Sequence, residues 1–205
     1  MNQQSKGTRL RGTMLASLLV VTALLSACAS SYVDTTIKEV PAAEMKQVAQ
    51  PKPVQLVFEF QSKGAPNPRA TDQLKDVVIK EVKDTNLFSA VSTDSAPDVA
   101  LLNVTLNNVV LTDNPAAKGF VTGLTFGLAG NVVTDGYICT VSYLPAGRST
   151  PIVKTARHAI HTTVGITSPP PAAQKAASIR EAIETMTRDV LSNALKDLAD
   201  DPAFN

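Results

Sequence analysis

The stretch Val54-Gln55-Leu56-Val57-Phe58-Glu59-Phe60 decides how the folded part of this chain reads. Val54, Leu56, Phe58 and Phe60 recur at every second position, and that period puts them on one side of a half-buried strand. Gly64, Pro66, Asn67 and Pro68 then mark a loop. Thr71 is suited to cap a helix reaching about residue 86, because Leu74, Val77, Val78 and Val82 share one helical face. Leu87-Phe88-Ser89-Ala90-Val91 reads as a packed return toward a second strand over 98–112, with Ala100, Leu102, Val104 and Leu106 on one face. At Asn107-Asn108 the apolar parity switches to Val109 and Leu111, which predicts a bulge or a break. Two more strands, 137–144 and 152–164, flank Pro145-Ala146-Gly147-Arg148-Ser149, a hairpin signal. After Pro169-Pro170-Pro171 a final helix is expected over 173–199, with Ile179, Ile183, Met186, Val190, Ala194 and Leu198 as its stripe and Leu191 and Leu195 widening it. The order β-α-β-β-β-α predicts an α+β fold: an antiparallel four-stranded sheet with two amphipathic helices packed on one face.

Upstream of this domain the composition changes. The 205 residues are 44% hydrophobic and 18% charged, which excludes a disordered or collagen-like chain. Nineteen Lys and Arg stand against 18 Asp and Glu. Three of the basic residues, Lys6, Arg9 and Arg11, are the only charges before Cys28, so the rest of the chain holds 16 basic and 18 acidic residues, a net of −2. That balance gives no footprint for nucleic-acid binding. The basic start, the apolar run over 14–25 and the small residues after it have the three parts of a secretory signal. A run of twelve residues is too short to span a bilayer core, which needs roughly 20 in a helix.

The end of that run, Leu25-Ser26-Ala27-Cys28, resembles the lipobox of bacterial lipoproteins. The resemblance implies cleavage before Cys28, a diacylglycerol thioether on its sulfur and an acyl chain on its amine. Several chains together give stable anchoring, each buried CH₂ contributing about 0.8 kcal/mol. Ala29, Ser30 and Ser31 follow in place of the Asp that retains such lipoproteins at the inner membrane, so the implied location is the outer membrane, facing the periplasm. Residues 28–53, with Pro41, Pro51 and Pro53 and no sustained apolar face, read as lipidated Cys plus flexible tether; a tether of that length would hold the domain about 25 to 30 Å from the lipid. The expected division is therefore a signal peptide over 1–27, an anchor and tether over 28–53, and a periplasmic α+β domain over 54–205.

Leader, lipobox, spacer and element order together resemble small outer-membrane lipoproteins of Gram-negative envelopes. The layout is similar to the lipopolysaccharide-assembly lipoprotein and, more loosely, to the curli-secretion lipoprotein and the N-terminal domain of the Tol-system propeller protein. What the resemblance implies is a non-enzymatic module that binds an envelope protein or helps envelope assembly. A component of a transport or secretion machine is the alternative. The membrane enters as a partner through the lipid on Cys28, and neither a small-molecule cofactor nor nucleic acid is expected.

Four features remain. The uncharged stretch from Gly119 has Gly119, Gly123 and Gly127 at every fourth position, and carries Phe120, Leu124 and Phe126 as a candidate interaction surface. It reads as an apolar loop over the sheet, as a membrane- or partner-touching protrusion, or as a glycine-zipper contact. His158 and His161 are three apart on a strand, so they point to opposite faces and suit structural roles better than a shared metal. Cys139 alternates with Tyr137, Val141 and Tyr143 and is expected to be buried. No nucleophile-and-base pattern, phosphate loop or metalloprotease motif occurs, so no catalytic residue is assigned.

Overall fold

In the computed structural model, which describes residues 29–110 and 132–204, the 54–60 stretch lies inside a longer strand, Pro53–Ser62. In chain order the elements are β1 (Ala29–Asp34), a short 3-10 turn (Ala42–Glu44), β2 (Pro53–Ser62), β3 (Ala65–Pro66), α1 (Pro68–Asp84), β4 (Ala90–Ser92), β5 (Ala100–Val110), β6 (Val132–Leu144), β7 (Ile152–Val164), β8 (Ala173–Lys175) and α2 (Ile179–Asp200). The signal peptide and the lipobox residues Leu25, Ser26, Ala27 and Cys28 lie outside the described residues, as do Phe120, Leu124 and Phe126.

The α+β class holds, but the sheet is larger than four strands and is mixed. Its order is β3-β2-β5-β6-β7-β1-β8, with β4 also on β2, eight strands among the described residues. β2 runs parallel to β5 and β4, while β5–β6, β6–β7, β7–β1 and β1–β8 are antiparallel. The reason is the intervening helix. A strand that returns through a helix re-enters the sheet in the same direction, whereas a tight turn reverses it. α1 carries the chain from β2 to the parallel β5; Pro145 to Arg148 turns β6 into the antiparallel β7, with Gly147 at φ +72° and the Arg148 N–H donating to the Pro145 carbonyl at 3.1 Å.

Other expectations change at element ends. α1 starts earlier than expected, with Pro68 in its first turn and Asn67 capping: the Asn67 side chain accepts from the Ala70 N–H at 3.1 Å. Thr71 is not the cap. Its hydroxyl donates to the Asn67 carbonyl and accepts from the Phe60 N–H at 2.9 Å, tying helix to strand. The parity switch at Asn107-Asn108 creates no bulge within the described part of β5, because one continuous register runs from Leu101 opposite Leu144 to Val110 opposite Asp135. Residues 173–175 are strand, not helix; α2 opens at Ile179, where the Ser178 side chain accepts from the Glu181 N–H at 3.1 Å.

The largest departure is in the expected tether. Ala29–Asp34 enters the sheet between β7 and β8, from Ala29 opposite Val164 to Val33 opposite Ile160. Beyond it the chain is strapped to α2: Asp189 accepts from the Glu39 N–H at 2.9 Å, Ser192 Oγ from the Val40 N–H at 2.9 Å, and Asn193 Nδ2 donates to the Lys38 carbonyl at 2.8 Å. Met45 is buried in the common core. Residues 29–53 are thus largely part of the domain, held by backbone pairing and polar clasps that leave no apolar period in the sequence.

α1 and α2 pack against each other and on the sheet. The core between them gathers Val54, Leu56 and Phe60 of β2, Leu102, Val104 and Leu106 of β5, Val141 of β6, and Met186, Val190, Leu191, Leu195 and Leu198 of α2. Ile183 is only half-buried at its rim. Each fully enclosed aliphatic side chain contributes about 1.5 to 3 kcal/mol.

Candidate functional site

β7 places the chain's two histidines, and the period of the strand sends them to opposite faces of the sheet. His158 points to α2, where its Nε2 lies 3.1 Å from Asp189 Oδ2. Its Nδ1 accepts from the Ala159 N–H at 2.8 Å, so the ring's proton sits on Nε2 and is donated to the carboxylate. His161 points the other way. Its Nε2 is 3.3 Å from Asp34 Oδ2 and its Nδ1 2.9 Å from Thr134 Oγ1, so one imidazole joins β1, β6 and β7. Asp34 also accepts from the Thr36 N–H at 2.8 Å and from the Thr36 hydroxyl. Burial pulls the Asp34 carboxyl upward, but the bonds from His161 and Thr36 outweigh it and hold it below the ordinary value.

Both imidazoles are fully enclosed, so neither reaches a substrate, and each spends its nitrogens on the fold. Cys139 is likewise buried, and its burial pushes the thiol up to about 12, which leaves it without thiolate at neutral pH. Among the described residues no group of three or more His, Cys, Asp or Glu side chains could hold a metal ion, and no helix is long and apolar enough to cross a membrane. Glu81 on α1 is buried beside Glu39 and Arg188. Burial pushes its carboxyl up to about 7, the Glu39 charge adds to the rise, and Arg188 opposes it.

A concave feature of the surface lies at the opposite end of the sheet from Ala29. A cleft of about 600 Å³ is lined by the start of β2, the loop after α1, the end of β6 and the C-terminal turn. Three rings form its wall: Tyr143 and Phe204 meet edge to face with centroids 4.9 Å apart, and Phe88 lies 5.8 Å from Tyr143 and 5.9 Å from Phe204. Lys52, Asp98 and Arg148 supply charge around it. This arrangement offers apolar contact with a few ionic points, suited to holding a segment of another chain, and it contains no base beside a nucleophile. Sequence reading did not find it. Phe88 was legible as packed after α1, but nothing local indicates that Phe204, four residues past the helix, folds back to meet it.

The sequence matches no family model and no curated protein. Among solved structures the chain is similar to the rare lipoprotein B from Shewanella oneidensis, with 13% identity, coverage of 72% of this chain and 90% of that chain, and a TM-score of 0.32. A likeness of that size bears on neither function nor partner.

Proposed function

We propose that this chain is a non-enzymatic lipoprotein of the outer membrane, anchored through diacylglycerol and an N-acyl chain on Cys28, whose periplasmic domain binds an envelope protein. The observation that carries the anchor is Leu25-Ser26-Ala27-Cys28 set directly after a basic and an apolar segment, in the order of a lipoprotein leader. Support for a binding role comes from the use of the titratable groups: His158, His161, Asp34 and Asp189 are spent on tertiary contacts, while the aromatic cleft is open. The same cleft, with Lys52, Asp98 and Arg148 at its edge, is the surface on which partner contact is expected.

The test has two parts. Metabolic lipid labelling with membrane fractionation should show label on the wild type in the outer membrane and none on Cys28→Ser; label retained by that variant would refute the anchor. In-cell crosslinking from a photoreactive group at Ala203, beside Phe204, should capture one envelope protein reproducibly. A ladder of copies of this chain would point to a ring-forming machine instead, and turnover of an envelope substrate by the purified protein would overturn the non-enzymatic reading.

A further inference from the structure

We infer that the end of the sheet beside Cys28 is a membrane-seating surface, which lies directly on a lipid bilayer; the inference rests on the reading of Cys28 as the lipidated residue. β1 begins at Ala29, one Cα step of about 3.8 Å after Cys28, and Ala29 is already paired opposite Val164. No slack separates anchor from fold. Whatever surface surrounds Ala29 must therefore meet the membrane as soon as the acyl chains insert.

That surface has the composition a bilayer requires. Of the six large apolar side chains exposed among the described residues, four gather there: Val133, Val164, Ile166 and Ile179. Val133 lies opposite Thr162, two residues before Val164. Ile166 projects fully exposed just after the Gly165 turn. Ile179 reaches the same end because the Ala176 N–H donates to the Ser31 carbonyl at 2.9 Å, and α2 then runs back along β7, with Asp189 against His158 and Asp201 against Lys154. The two other exposed apolar residues stand apart: Val57 is inside β2, and Val153 is at the far end of β7.

Singly exposed apolar residues are ordinary, but four around one anchor point form a patch. The backbone that carries them is uncharged through 29–33, 132–134 and 162–174. Charges of both signs stand at the margin: Lys175, Arg180 paired with Glu184 at 3.7 Å, and Glu181, whose carboxylate accepts from the Ala177 N–H at 2.8 Å. An uncharged apolar centre with a charged rim fits the acyl boundary and headgroup layer of a lipid surface.

The chain has no tryptophan, so a single indole reports its own surroundings. Full-length lipidated protein carrying Ile166→Trp, and a second preparation carrying Val153→Trp, would be reconstituted into vesicles of phosphatidylethanolamine and phosphatidylglycerol with brominated acyl chains. Positions 153 and 164 are separated by roughly 35 Å at about 3.3 Å per strand residue, so only one can touch lipid when the sheet end sits on the bilayer. The expected result is blue-shifted emission and several-fold greater bromine quenching for Ile166→Trp than for Val153→Trp. Vesicle-bound protein with equal quenching at the two positions overturns the seating surface while leaving the anchor intact. A blue shift at 166 without quenching also overturns it, because protein and not lipid then covers the patch. Absence of lipid on Cys28 in the same preparation removes the anchor and the seating surface together.

Discussion

Two histidine–aspartate contacts lie back to back on β7, and they hold different things with different degrees of enclosure. His158 meets Asp189 between sheet and helix, where the Asp189 side chain keeps 10% of its exposure. His161 meets Asp34 on the other face, and neither side chain is exposed at all. The first contact secures α2 and the strap over 38–40; the second secures β1, the strand that follows Cys28 directly. The comparison teaches that water access decides what such a contact costs when broken. Removing the partly exposed Asp189 carboxylate opens its place to water, which can take over the bond to His158, whereas the space left by Asp34 is closed to solvent and leaves His161 unpaired.

The largest effect should therefore come from Asp34→Ala, which strands His161 and both Thr36 donors and is expected to cost about 3 to 5 kcal/mol in denaturant unfolding. Asp189→Ala should cost less, about 1.5 to 3 kcal/mol. Equal losses in the two variants would show that enclosure does not separate the contacts. The pH dependence has a definite sign. The Asp34 carboxyl sits below its ordinary value in the fold, so its stabilisation is complete above the unfolded value and is lost as pH falls through the lower folded one.

Glu81, beside the strap at Glu39, has the reverse sign. Raised from 4.5 to about 7, it imposes no penalty below 4.5, a growing one between 4.5 and 7, and the full one above. Glu81→Gln should accordingly raise stability by about 1 to 3 kcal/mol at pH 8 and leave it unchanged at pH 4. A gain of equal size at both pH values would exclude ionisation as its cause. The smallest effect should follow Thr134→Val, which removes only the second partner of His161, at about 1 kcal/mol. His158 has no counterpart to this variant, since its second partner is a backbone N–H.

Much of this arrangement was open to reading. The opposite facing of His158 and His161 follows from strand period alone, as does the buried row Ala100, Leu102, Val104, Leu106. Ser178 and Glu181 form a capping signature that places the start of α2 at Ile179, and the longer expectation from residue 173 overlooked it. β1 was hidden for a different reason: Ala29-Ser30-Ser31-Tyr32-Val33-Asp34 is held by backbone pairing with β7 and β8 and by Asp34 meeting His161, all far along the chain. No local pattern carries that information.

What the sequence by itself determined is the two amphipathic helices, the four long strands β2, β5, β6 and β7 and the faces they bury, because periodicity is a property of neighbouring residues. Only the tertiary structure decided the parallel pairing of β2 with β5, the capture of 29–34 as a strand, the meeting of Phe88, Tyr143 and Phe204, and the gathering of Val133, Val164, Ile166 and Ile179 beside Ala29. Each joins residues distant along the chain. Strand period fixes which face a side chain takes but is blind to strand direction and to edge partner, and those are settled when the core between sheet and helices closes.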